Sequence, residues 1–248
     1  MWLLFALGSA FFAGITAVLA KLGIHGHDST LVTALRTSVV FLGAWIVAAI
    51  SIKGHFASDL TAITPRTYLF LFLSGLATGA SWLCFFAALS RAPVTLVSPI
   101  DKSSTIIAIA FAVIFLGERL SPIACIGVLA LAAGIGFTLE PGVLRSLVSQ
   151  RAKHPRNAPL PNTQKAPTAS WIIFALASAI FAALTSILGK IGITGVDSNL
   201  GTSIRTSVVL LMAWIVVALH AKPAQIRTIP LRDHAWIAAS GIATTASW

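Results

Sequence analysis

In a chain of 248 residues, 57% hydrophobic and 10% charged residues leave more apolar surface than a single core can bury, which excludes an ordinary soluble domain. A mean hydropathy of +0.91 and several long apolar runs make lipid the natural solvent, since one helical crossing of a hydrocarbon layer of about 30 Å needs roughly 20 such residues. The formal net charge of +10 sits on Lys and Arg in short breaks and one connecting segment, so anionic lipid headgroups are the expected counterions and no nucleic-acid partner is expected.

The first predicted helix covers about 2–20, within MWLLFALGSAFFAGITAVLAK. No positive stretch precedes the apolar run and no cleavage pattern stands before Lys21, which argues for a retained first crossing and against a signal peptide. Lys21 closes it as a C-terminal cation. The loop HGHDST follows. Its second-copy counterpart replaces His25 and His27 by Thr194 and Val196 beside the shared Asp28 and Asp197, so no metal and no cofactor is expected there. A second helix is predicted over about 30–52, with Arg36 a turn or two inside it. Snorkelling to the interface, or pairing with Asp28, competes there with a place in a substrate pathway.

The third helix, about 68–90, carries Gly75 and Gly79 in a G-x-x-x-G pattern suited to close packing. Cys84 here and Cys125 further on have neither metal nor disulfide spacing and are read as inert packing residues. The fourth helix, about 95–116, is the most informative, because Pro99, Asp101 and Lys102 interrupt or border an otherwise apolar run. Pro99 removes a backbone donor, Ser98, Ser103 and Ser104 supply hydrogen-bonding groups, and Asp101 is an acceptor for a cation, a proton or a partner helix. The alternative is a helix start near the interface, with Lys102 snorkelling and Asp101 facing the N-terminal dipole. After the turn FLGERLSP, Ser121 and Pro122 suit the N-cap and first position of a fifth helix over about 120–139, in which Gly134 and Gly136 are further packing candidates. Glu118 belongs to that turn, with pairing to a basic residue of a neighbouring helix as its functional alternative.

Residues 140–170 collect Pro141, Pro155, Pro159, Pro161 and Pro167 with Arg145, Arg151, Lys153, Arg156 and Lys165, the composition of a solvated linker. Beyond it helices are predicted at about 171–189, 199–221 and 235–248, and they repeat the beginning of the chain. Trp2 through Ile50 aligns without a gap on Trp171 through Leu219, with 29 of 49 positions identical, among them Lys21 with Lys190 and Arg36 with Arg205. Ser74, Gly75, Ser81 and Trp82 then match Ser240, Gly241, Ser247 and Trp248. The expected organisation is a five-helix unit over 1–139, a basic Pro-rich linker over 140–170, and over 171–248 a second unit without counterparts of residues 83–139, as a truncated reading frame would leave it. The whole reads as an all-α polytopic membrane protein of about eight transmembrane helices. Five crossings being an odd number, the two units enter the membrane in opposite senses as an inverted repeat, a transporter signature.

The Ala88-Leu89 end of the third helix, Val97 to Pro99 with Asp101-Lys102, the segment Phe115-Leu116-Gly117-Glu118-Arg119, and Gly127 with Gly134 together resemble an EamA domain of the drug/metabolite transporter superfamily, in its five-helix bacterial and archaeal form. The resemblance covers 1–139 and half of a second unit. It implies a secondary transporter or exporter of small metabolites in the cytoplasmic membrane, multi-pass, holding a small-molecule substrate between two units and surrounded by lipid, with a homodimer as an option. The first helix has no carboxylate and so departs from the small multidrug resistance pattern, in which a first-helix Glu binds cations. The expected pathway residues are Pro99, Asp101, Lys102 and Ser103, with Arg36, Arg205 and Glu118 secondary. Rival readings are an inactive or scaffold remnant and an intramembrane enzyme, although no spacing resembles a nucleophilic triad. Positive-inside counting makes the face of Lys21, Arg91 and the linker cytoplasmic, whereas ten-helix relatives usually begin inside, so orientation stays open.

Overall fold

The computed structural model describes residues 2–24, 26–52, 60, 63–138, 170–193, 195–220 and 229–247, and its regular structure there is entirely helical. In chain order the helices are α1 Trp2–Ile24, α2 Ser29–Ile52, α3 Pro65–Arg91, α4 Val94–Lys102, α5 Ser104–Leu116, α6 Pro122–Thr138, α7 Ser170–Gly192, α8 Ser198–His220 and α9 Leu231–Ala246. The fourth predicted crossing is divided into α4 and α5 at Ser103; otherwise every predicted helix is present, with ends moved by a few residues. Six spans, Leu3–Ile24, Ser29–Ile52, Pro65–Arg91, Val94–Leu116, Ser170–Gly192 and Ser198–Leu219, are long and apolar enough to cross a membrane, and Pro122–Thr138 is a shorter apolar helix. With α9 in the place of a third crossing of the second unit, the chain is an all-α polytopic membrane protein. The linker expected over 140–170 lies outside the described residues apart from Ser170.

Local sequence accounts for the helix boundaries. Asp28 Oδ1 accepts from the backbone N–H groups of Thr30 at 2.9 Å and Leu31 at 3.1 Å, and Asp197 Oδ1 accepts at the same two distances from Asn199 and Leu200, so both copies cap their second helix alike. The preceding turns need a left-handed residue, supplied by Gly26 at φ 82° and Gly195 at φ 81°. Thr64 and Pro65 open α3, and the Ser121 hydroxyl caps α6 by accepting from the Ala124 N–H at 3.2 Å.

Burial is distributed as lipid demands. Large apolar side chains face outward, with Leu4, Phe5, Ile123 and Phe137 at least 74% exposed, while Ala, Ser, Thr and Gly fill the helix contacts. The buried hydroxyls of Thr33 and Thr37 donate to carbonyls one turn back, which spares them an unsatisfied group in an apolar setting.

The two units interlock about an approximate two-fold relation. Helix α2 pairs with its counterpart α8: Trp45 Nε1 donates to Ser207 Oγ at 3.1 Å, and the equivalent Trp214 Nε1 donates to Ser38 Oγ at 3.1 Å. Each third helix packs on the other unit's first. A Cβ at Gly23 of α1 would stand 2.8 Å from Ile237 of α9, and one at Gly192 of α7 would stand 3.1 Å from Leu71 of α3. Gly75 and Gly79 bring α3 onto α8, where a Cβ on either would meet Val208 or Met212 at 2.7 Å. These are the glycines whose spacing marked them for packing. The expectation for Gly134 and Gly136 is corrected: no atom of the described residues lies within 4 Å of a Cβ at either, because α6 is on the periphery.

Residue numbers run in opposite directions across these pairs, since 38 meets 214 where 45 meets 207, and Thr16 meets Thr244 where Gly23 meets Ile237. Equivalent second helices are therefore antiparallel, and the second unit is inverted relative to the first, as an odd number of crossings requires.

Candidate functional site: a polar seam between the repeats

The break after α4 sets one end of the site. Pro99 has no N–H to donate and stiffens the helix, and at Ser103 the backbone N–H is shared between the carbonyls of Pro99 at 3.2 Å and Ile100 at 3.1 Å. The Ser103 hydroxyl donates to the Ile100 carbonyl at 2.6 Å. Asp101 lies just before this break, about 10 Å into the span by helical rise, with a side chain 16% exposed.

Asp101 meets the second unit. Its Oδ1 accepts from the Ser178 hydroxyl of α7 at 2.7 Å, and Ser178 is in turn 3.3 Å from the Ser81 hydroxyl of α3, which donates to the Ser178 carbonyl at 3.1 Å. Ser81 and Ser178 are both buried. Farther along the same contact Thr78 and Thr185 place their hydroxyls 3.3 Å apart, and Ser74 donates to the Thr185 carbonyl at 3.1 Å. Residues 74, 78 and 81 share one face of α3 by helical spacing. A carboxylate and a ladder of hydroxyls thus line the α3–α7 boundary, a setting suited to a proton, a cation or a polar solute.

The remaining predicted residues fall into three places. Lys102 is 3.7 Å from Asp101 Oδ2 but half exposed, at the edge of the seam. Glu118 follows Gly117, at φ 68°, and forms an ion pair with Lys190, which lines a groove between α5 and α7. This groove, of about 320 Å³, is lined by Ser104, Thr105, Ser186 and Lys190 among small apolar residues. Glu118 is therefore coupled to a neighbouring helix as well as being part of a turn.

Arg36 and Arg205 occupy the interior. The Asp28 carboxylate caps α2 and forms no ion pair with Arg36, and Arg36 is buried at 3% exposure, away from the interface to which a snorkelling side chain would reach. Its guanidinium lies 4.6 Å from the centre of the Trp82 ring and 5.1 Å from that of Phe86, with Nη2 donating to the Thr244 hydroxyl of α9. Arg205 is partly buried beside the first seam: a Cβ at Gly189 would stand 3.2 Å from its Nη1 and 3.3 Å from the Ser74 hydroxyl.

Sequence reasoning placed Asp101, Lys102, Ser103, Pro99, Arg36, Arg205 and Glu118 in one pathway. The structure brings Asp101, Lys102 and Ser103 to one end of the α3–α7 seam, puts Arg205 on that seam, seats Arg36 against α3 and α9, and pairs Glu118 with Lys190 of α7. Ser81, Ser178, Trp82 and Thr244 were missed as site residues. Their available signal was the spacing of hydroxyls along one face of an apolar helix, repeated at Ser240, Thr244 and Ser247.

Residues 1–139 match the EamA-like transporter family. A protein of Sinorhizobium sp described as "Uncharacterized transporter in cobO 3'region" is 44% identical over 133 residues, which are 54% of this chain and 92% of that protein.

Proposed function

The chain belongs to the EamA-like transporter family, and from that premise we propose that it is a secondary transporter or exporter of small metabolites across the cytoplasmic membrane. The pathway runs along the boundary between the inverted units, with Asp101, Lys102, Ser103 and Pro99 at one end and Arg205 farther along. Alternating access comes from rocking one unit against the other about the antiparallel α2–α8 pair. The observation that carries this proposal is the Asp101–Ser178 hydrogen bond at 2.7 Å, a carboxylate held inside an apolar span by a hydroxyl of the opposite unit. A carboxylate at that depth needs a reason, and a bond made across the moving boundary gives it one: rocking breaks or remakes it as a proton or solute arrives. The groove that Lys190 lines, beside its ion pair with Glu118, supports an outer vestibule. A second copy pairing through α5 and α6, neither of which buries a residue within one chain, belongs to the same proposal.

The test is uptake and efflux of a mixed metabolite panel in vesicles holding the chain or its Asp101→Asn variant. Transport falls at least about tenfold in the variant, with insertion and thermal stability kept, as expected of a positioned acid–base or binding group. Transport unchanged by the substitution removes Asp101 from the mechanism.

A further inference from the structure

Arg36 poses a problem that the α3–α7 seam does not solve. Its side chain is buried, yet Nε and Nη1 have no hydrogen-bond partner among the described residues. The ion pairs found there join His27 to Asp233, Lys102 to Asp101 and Lys190 to Glu118, and none includes Arg36. Arginine keeps its charge at any ordinary pH. A permanent cation inside a membrane bundle, stacked against two aromatic rings and holding a single neutral acceptor, is costly unless an anion completes it.

We propose that Arg36 is the anion subsite of the transported solute and that the solute is a small organic monocarboxylate. One guanidinium cancels one negative charge; a phosphate monoester would carry surplus charge into the same setting. The carboxylate accepts from the free N–H groups of Arg36, which the Thr244 hydroxyl orients through Nη2. Thr16, whose hydroxyl is 3.4 Å from that of Thr244, offers a further polar contact, and the Trp82 and Phe86 rings flank the solute's apolar part. The subsite is closed in this conformation and opens as α9 moves with its unit away from α2 and α3. This assignment rests on the transporter proposal for its opening motion, but binding is measurable without transport.

The experiment is thermal unfolding of the purified full chain in detergent at constant ionic strength, with chloride, butyrate, butyramide or inorganic phosphate as the probe. Butyrate raises the midpoint by about 2–4 °C over chloride, and butyramide and phosphate do not. Arg36→Gln loses the butyrate shift while unfolding no earlier than the parent without ligand, because it removes an uncompensated charge. Should that variant fail to fold, Thr244→Val, which keeps the volume, halves the shift or more. Arg66→Gln, at the exposed start of α3, retains it. No shift in the parent, or an equal shift in Arg36→Gln or Thr244→Val, overturns the subsite, and an equal shift with phosphate overturns the monocarboxylate class. A shift that depends on Arg36, in a protein whose vesicles move no butyrate, upholds binding and overturns the transport proposal instead.

Discussion

Lys21 and Lys190 are the same residue of the repeat, each at the end of its unit's first helix, yet they act differently. Lys21 donates to the Leu89 and Ala92 carbonyls and so completes the end of α3, whose last carbonyls have no intrahelical partner. Lys190 reaches Glu118 beyond α5. The two seams diverge likewise. Thr16 meets Thr244 as Thr185 meets Thr78, and Ser178 also reaches Asp101 of α4. Repetition assigns a residue its helix and its face, and the neighbouring helix assigns its role.

That comparison breaks most visibly at the glycines. Gly75→Leu, which drives a side chain into Val208 and the Arg205 carbonyl, should cost about 3 kcal/mol or more and sharply lower the yield of folded protein. Gly134→Leu, facing open space, should leave the unfolding midpoint in detergent unchanged. Next in size, Lys21→Met strips two carbonyls of a charged donor and should cost about 1.5–3 kcal/mol, whereas Lys190→Met should cost less, its side chain being 56% exposed. Ser178→Ala removes the bond to Asp101 and should cost about 0.6 kcal/mol, the usual worth of an interhelical hydrogen bond in a membrane; Ser9→Ala at the equivalent place should cost less, and an equal loss would mean that Asp101 gains nothing from Ser178. Glu118→Gln should change stability by about 0.5 kcal/mol, since an exposed ion pair is screened. All are read from thermal unfolding of the purified chain.

Much of the candidate site was legible because ionisable groups in apolar runs have few innocent explanations. Asp101 stood out for that reason, as did Arg36 through its repetition at Arg205. Ser178 and Ser81 did not, since serine in a transmembrane helix ordinarily bonds its own backbone, and the spacing of hydroxyls along a helix face does not tell which of them crosses to another helix.

The crossings, their order and the inversion of the second unit were determined by the sequence alone, because apolar run length and an odd number of crossings are properties of consecutive residues. Only the tertiary structure decided that Arg36 turns inward onto Trp82, Phe86 and Thr244, that Asp101 is held by a serine of the other unit, and that equivalent lysines part company. Each depends on which helices lie side by side. In lipid that is settled by close packing at Gly23, Gly75, Gly192 and Gly241, whose partners are distant in the chain, and not by an apolar pattern that every crossing shares.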